Sequence, residues 1–176
     1  MLFLSIACDN FFMFKDFFLA FAYEGKVSHY LAADDAIFPD SLINVRKKML
    51  ILGGNASGKT TFGVLLCAIN NYIMNVPVTN ARVNLYNSVY DPKKESYFSA
   101  EFVLDDSAYR VYCKFNSKGI IEESLKKVKI YKSYNIKKLR LVLDNAPFIC
   151  EYHNYKQDET ITNAEIFMSA MLGEAE

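Results

Sequence analysis

The sequence predicts an α/β domain, in which one principal helix packs on a mixed strand core and a mainly antiparallel β-region lies beside it. Three observations carry that expectation. Phe62, Leu65, Leu66, Ile69 and Ile73 recur at helical spacing directly after a glycine-rich loop. From Arg82 onward the period changes to two, with "SYFSAEFVL" and "YRVYCKF" flanking the turn "DDSA" in a hairpin pattern. Aromatic usage, 14 Phe and 12 Tyr with no Trp, favours strands over further helices. At 20.1 kDa the chain, residues 1–176, fits one domain able to bury roughly 70% of its unfolded surface, so disulfides are not needed for stability.

Taken along the chain, residues 2–8 and 17–23 read as two strands around a polar turn at Asp9 to Asp16, and Glu24 to Asn44 as an irregular excursion. "KKMLILGG" is a short apolar run bounded by charge and glycine, the pattern of a strand buried on both faces. The helix that follows is expected to stop at Val76-Pro77. "KKVKIYKS" and "KKLRLVLDN" alternate like strands, with Val128, Ile130, Leu139, Leu141 and Leu143 on the inner face, and "FICEYHNY" reads as one more strand. Thr162-x-x-Glu165 is a capping box, so a last helix with Phe167, Ala170 and Met171 as its apolar stripe is expected.

The chemistry-bearing motif is Gly53-Gly54-Asn55-Ala56-Ser57-Gly58-Lys59-Thr60, which satisfies the P-loop pattern G-x-x-x-x-G-K-[ST]. Glycines let the backbone curl so that successive N–H groups face phosphate oxygens, and the following helix adds its positive N-terminal end. Lys59 then bridges the β- and γ-phosphates, the Thr60 hydroxyl completes a Mg2+ site, and Thr61 offers a second hydroxyl for the α-phosphate. An apolar run before the loop and a periodic helix after it supply the context the motif requires. The expected ligand of this motif is therefore a nucleotide, with Mg2+ at Thr60.

"GGNASGKTT" resembles the G-x-N-[GA]-[SA]-G-K-[ST]-[ST] variant found in the ATPase heads of the ABC, SMC and RecF-like families, with Asn55, Ser57 and Thr61 matching beyond the minimal pattern. Asn10-Phe11 and Phe14-Lys15-Asp16 stand where many of those heads carry similar residues, and "YFSAEFVLDDSAYRVYCKFNSKGIIEESL" is similar to a run of RecF-like ATPases of the overcoming-lysogenization-defect and abortive-infection type. The resemblance implies a P-loop NTPase core forming the N-terminal ATP-binding lobe of such a head, with Lys15 approaching the nucleotide. It also implies a homodimer or a second lobe that completes the site, and a setting in DNA repair or antiphage defence. The signature motif, Walker B Asp-Glu pair and switch histidine of those families are expected outside this chain, so ATP binding with negligible hydrolysis is the expectation for residues 1–176.

"LRLVLDN" reads as a sheet strand, with a Walker B role for Asp144 as the alternative; Asn145 stands where a glutamate would be needed. Lys126, Lys127, Lys129, Lys132, Lys137, Lys138 and Arg140 form a basic run that reads either as the solvated face of two strands or as a DNA phosphate-tracking patch. Tyr131 and Tyr134 would add stacking in the second case. For the adenine, Phe14, Tyr23 and Tyr30 are the candidate stacking residues.

Twenty basic and twenty acidic residues cancel, which removes any global pull toward nucleic acid or anionic membrane. Cys8, Cys67, Cys113 and Cys150 form no C-x-x-C pair and read as reduced, buried thiols of a cytoplasmic protein. Cys150-x-x-His153 offers two zinc ligands at most, and the other histidine, His29, is remote in sequence. Asp9, Asn10, Lys15 and Asp16 interrupt the apolar N-terminus, which excludes a span of about 20 residues. A small P-loop kinase is a weaker reading, because Arg46, Arg82, Arg110 and Arg140 form no recognisable lid, and a non-catalytic DNA-binding module is another.

Overall fold

A computed structural model describes residues 1–25, 35–74 and 85–153. The capping box at Thr162, the apolar stripe around Phe167, the helix stop at Val76-Pro77, and His29, Tyr30 and Arg82 lie outside the described residues. Among the described residues, six strands and two α-helices follow in the order β1 (Leu2–Asp9), β2 (Phe17–Ala20), α1 (Lys59–Ile73), β3 (Ser96–Leu104), β4 (Ser107–Asn116), β5 (Gly119–Lys129), α2 (Ile136–Asn145) and β6 (Phe148–His153). The strands form one sheet in the order β2-β1-β3-β4-β5-β6, and every pairing is antiparallel. The protein is thus mixed α/β, built on an antiparallel sheet.

The central meander follows directly from the period-two pattern. Asp105, left-handed at φ 53°, helps form the tight connection between β3 and β4, a conformation aspartate tolerates better than most residues. Alternation then sorts the side chains. Ile6, Phe98, Ala100, Phe102, Val111, Cys113 and Phe115 share one core with Phe62, Leu65, Ile69 and Ile73 of α1. Leu4, Val103 and Ala108 share the other with Ile136, Leu139 and Leu143 of α2. Alternate residues of a strand point to opposite faces, so the two helices cover opposite sides of the sheet.

Two elements correct the sequence reading. "KKLRLVLDN" is not a strand: residues 136–145 are helical. Leu139, Leu141 and Leu143 alternate, but Ile136, Leu139 and Leu143 also fall on one helical face, and only those three are buried while Leu141 is exposed. Asn135 decides between the two periods by capping the helix, its Oδ1 accepting the Lys138 N–H at 2.8 Å. Asn135→Ala is expected to cost about 1 kcal/mol, read as a drop of about 3 °C in thermal midpoint for a chain of this size. The second correction is that "KKMLILGG" joins no strand of the sheet; residues 48–54 run without assigned helix, strand or turn.

Cys8 and Cys113 are buried, and burial, reinforced for Cys8 by Asp9, pushes its thiol up to about 12, which makes it inert. Cys67 is exposed on α1, contrary to the expectation that all four thiols are buried. Cys150 and His153 sit three apart on β6 and therefore point to opposite faces, so they cannot converge on one metal ion. No helix among the described residues is long and apolar enough to cross a membrane.

Candidate nucleotide site

Val45 bridges Ala22, and the Arg46 N–H donates to the Phe21 carbonyl at 2.9 Å, which ties the chain to the end of β2. Beyond this tie the backbone leaves the sheet. Met49 and Ile51 are 40% and 42% exposed, and Leu50 and Leu52 are each 80% exposed, so the run expected to be buried on both faces presents apolar side chains to solvent instead.

The loop at 53–58 then turns into α1. Ala56 and Gly58 take left-handed backbones at φ 60° and 87°, and the first internal helix bond runs from the Phe62 N–H to the Gly58 carbonyl at 2.8 Å. The N–H groups of Lys59, Thr60 and Thr61 lie ahead of that bond, at the positive end of a 15-residue helix. Lys59 folds back over the loop: its Nζ donates to the carbonyls of Gly53 at 2.8 Å and Gly54 at 2.6 Å, and to Ser57 Oγ at 3.3 Å. Of the motif glycines, Gly58 is required by its left-handed backbone, and a Cβ there would also stand 2.9 Å from Met13 Sδ; a Cβ at Gly53 would meet only the movable Ser57 Oγ, at 2.5 Å, and one at Gly54 would meet nothing within 4 Å.

Met13 belongs to the turn joining β1 and β2, which is the unexpected part of the site. Asn10, Phe12 and Asp16 all have positive φ, at 51°, 52° and 46°. Asn10, 4% exposed, holds the turn against residues 91–95. Its Nδ2 donates to the carbonyls of Asp91, Lys94 and Glu95 at 3.0, 3.1 and 3.3 Å, and its Oδ1 accepts the Asp91 N–H at 2.8 Å. Ser96 Oγ donates to the Asn10 carbonyl at 2.6 Å, and the Phe12 N–H donates to Ser88 O at 2.6 Å. Lys15 lies with its ammonium 4.7 Å from the centroid of the Tyr90 ring and does not line the cleft described next.

A cleft of about 310 Å³ opens between this turn and the loop at 53–58. Phe14, Phe17, Leu19 and Phe62, with Met49, Ile51 and Leu52 of the preceding run, supply its apolar wall, and Gly53, Ser57, Gly58 and Lys59 belong to its lining on the loop side. Phe14 meets Phe17 at 4.8 Å and 51° and Phe62 at 6.4 Å and 75°, an edge-on arrangement that suits aromatic quadrupoles. Of the candidate stacking residues, Phe14 lines the same cleft as Lys59. Tyr23 is engaged elsewhere, donating to Asp35 Oδ2 at 3.1 Å under the Arg46 guanidinium.

The other candidates separate from this site. Asp144 lies on α2, across the sheet from α1, and pairs with Arg110 Nη1 at 2.5 Å. It lies on the far face of the sheet from Thr60, which speaks against the Walker B alternative. The basic run does not form one face either. Lys126 opposes Arg110 and Lys127 opposes Tyr109, so neighbouring lysines point to opposite sides. Lys129 pairs with Asp106, Lys132 with Asp40, and Arg140 with Glu101 and Glu24. Lys126 and Lys127 lie over the Phe148 and Tyr109 rings, while Lys137 and Lys138 are exposed at the start of α2.

Asn10, Met13, Phe17 and Phe62 were not singled out from sequence as site residues. The one available signal was the polar Asn and Asp around an aromatic run, which marks a turn able to take left-handed backbone. No protein-family model matches this chain, and no curated protein matches it.

Proposed function

We propose that the chain binds ATP with Mg2+ on the loop at 53–60, as the N-terminal lobe of a RecF/SMC/ABC-like ATPase head. One observation carries this reading: Lys59 Nζ spans the loop between the Gly53 and Gly54 carbonyls at the N-terminus of α1. An ammonium held there, beside free helix N–H groups, matches what a triphosphate requires. Thr60 would hold Mg2+ through its hydroxyl, and Thr61 would meet the α-phosphate. The metal's chemistry is neutralisation of charge on the phosphate oxygens.

No carboxylate lines the cleft among the described residues, so no group here orients an attacking water. Turnover would depend on a second lobe or a second copy, and the exposed Leu50 and Leu52 support association at this end of the molecule. Contact with DNA, which the family resemblance implies, would fall to Lys137 and Lys138. Saturable binding of Mg-ATP with background phosphate release is the expected result for the purified chain, and Asp144→Asn should change neither. Absence of saturable binding overturns the proposal; robust turnover by this chain alone overturns its division between binding and hydrolysis.

A further inference from the structure

The sheet face under α2 is only half covered. Arg140 meets Glu101 on β3, while Asp144 meets Arg110 on β4 and its backbone carbonyl accepts from Lys126 on β5, so α2 runs across the strands. Rows of side chains on one face stand about 7 Å apart, and a helix with its side chains is about 10 Å wide. The helix therefore covers the rows nearest the β3–β4 turn, where Val103 and Ala108 pack on it. The two rows that start at Ala7 and Asp9 on β1 and end at Glu151 and His153 on β6 have no helix over them among the described residues.

That open half is acidic and aromatic. Asp9, Asp16, Glu122 and Glu151 stand against Lys114 and His153, which are themselves paired with Glu95 and Glu151. Tyr97 and Tyr112 stack at its centre with ring centroids 5.9 Å apart and planes at 30°. Burial raises the Tyr97 hydroxyl above its ordinary pKa, and Asp9 and Asp16 raise it further, which places both carboxylates in its field. The outward side of α2 has the opposite character. Lys137 and Lys138 are exposed and form no ion pair among the described residues, and Leu141 is 55% exposed. Two lysines in a first turn also oppose the helix dipole, so carboxylates facing them would remove a local penalty.

We propose that this half-covered face is a homodimer interface, in which α2 of each copy lies on the open half of the other. A two-fold axis between the two faces, directed across the strands, reverses the order of the rows and keeps the order of the strands. Arg140 sits over β3, and three helical residues span about 4.5 Å, close to one strand spacing, so Lys137 and Lys138 fall over β1. They then meet Asp9 and Asp16 of the other copy, and Leu141 meets its tyrosine stack. The contact is isologous and closes after two copies. Because α1 and the loop at 53–58 lie on the opposite face of the sheet, this interface is independent of the nucleotide reading. DNA would compete for the same lysines, but the acidic open half on that face repels a polyanion and attracts a second α2.

Sedimentation velocity over a range of concentrations tests the interface. Wild type should form dimers that dissociate as ionic strength rises to about 1 M, where the Debye length is about 3 Å. Lys137→Glu with Lys138→Glu should weaken dimerisation at least about tenfold, since each substitution acts twice per dimer. The same pair should not lower the thermal midpoint of the monomer, because it suits the helix dipole. Asp16→Lys with Asp9→Asn, which keeps an acceptor for the backbone N–H at position 16, should weaken dimerisation likewise. An equimolar mixture of the two variants should dimerise again, because each open half then faces an α2 of opposite charge.

A wild type that stays monomeric overturns the proposal, and loss of DNA binding in Lys137→Glu/Lys138→Glu would then assign those lysines to nucleic acid. A dimer that both variants retain also overturns it and places association elsewhere, such as the exposed run at 49–52. Failure of the mixture to dimerise overturns the pairing of α2 with the open half. Where the turn variant melts early, the α2 variant decides alone: a dimer it retains at wild-type strength overturns the interface.

Discussion

Lys59→Ala should weaken Mg-ATP binding about a hundredfold, equivalent to about 3 kcal/mol, the upper end for a hydrogen bond to a charged group. The Lys59 ammonium is the only cation lining the cleft among the described residues, and the backbone N–H groups around it carry partial charge only. Its present partners are two carbonyls and a hydroxyl, none of them charged, so a phosphate oxygen competes for it on favourable terms. These bonds are solvent-exposed, and the thermal midpoint of the variant should stay close to that of wild type. Calorimetric titration with Mg-ATP, paired with a melting curve, checks both halves. Equal affinity in the two proteins would remove the loop from the function altogether.

How much was legible in the sequence depends on how local the cause was. α1 was legible because four of its buried residues, Phe62, Leu65, Ile69 and Ile73, repeat at helical spacing over about three turns, too long for an accidental strand pattern. The β3–β4 hairpin was legible because its alternation and its Asp-Asp turn agree. α2 was misread because ten residues satisfy both periods, and the deciding bond, from Asn135 to the Lys138 N–H, is a capping signal that periodicity does not register. The run at 48–52 has the composition of a doubly buried strand, but composition states what a segment would need and not whether neighbours supply it.

The candidate site shows the same division. The motif at 53–60 is written in eight consecutive residues, so the proposal of a phosphate loop starts from a local pattern. The wall facing it joins Phe14 and Phe17 to Phe62, 45 or more residues away in sequence, through a turn that Asn10 anchors to residues 91–95. Contacts of that range arise only from the strand order β2-β1-β3, which no local pattern encodes. Phe14, Tyr23 and Tyr30 are equivalent as stacking candidates in sequence, whereas in the fold Tyr23 bonds Asp35 and Phe14 lines the cleft that Lys59 also lines.

On the opposite face of the sheet a second long-range cluster should dominate stability, and its removal carries the largest expected effect on folding. Glu101 on β3 is almost fully buried and accepts from Ser5 Oγ at 2.7 Å, from Arg110 at 2.7 and 3.1 Å, and from Arg140 Nε at 3.0 Å. It thereby fastens β1, β4 and α2 to one carboxylate. Glu101→Gln leaves two guanidinium groups facing an uncharged amide. Breaking a buried ion cluster from one side costs about 3–5 kcal/mol, and the lower end applies because each arginine side chain is 24% exposed. A loss near 3 kcal/mol corresponds to about 10 °C in thermal midpoint. Acid should erase the difference. Burial alone would raise the Glu101 pKa, but the bonds from Ser5 and Arg110 and the charges of Arg140 and Arg110 outweigh it and hold its carboxyl below the usual glutamate value. A carboxylate depressed in the folded state contributes its full stability above its unfolded pKa and loses it as pH falls through the folded value. Urea unfolding at pH 7 should therefore separate wild type from Glu101→Gln widely, and the gap should close progressively below about pH 4.5. A gap that persists unchanged at pH 3 would show that the carboxylate charge is not what fastens α2 to the sheet.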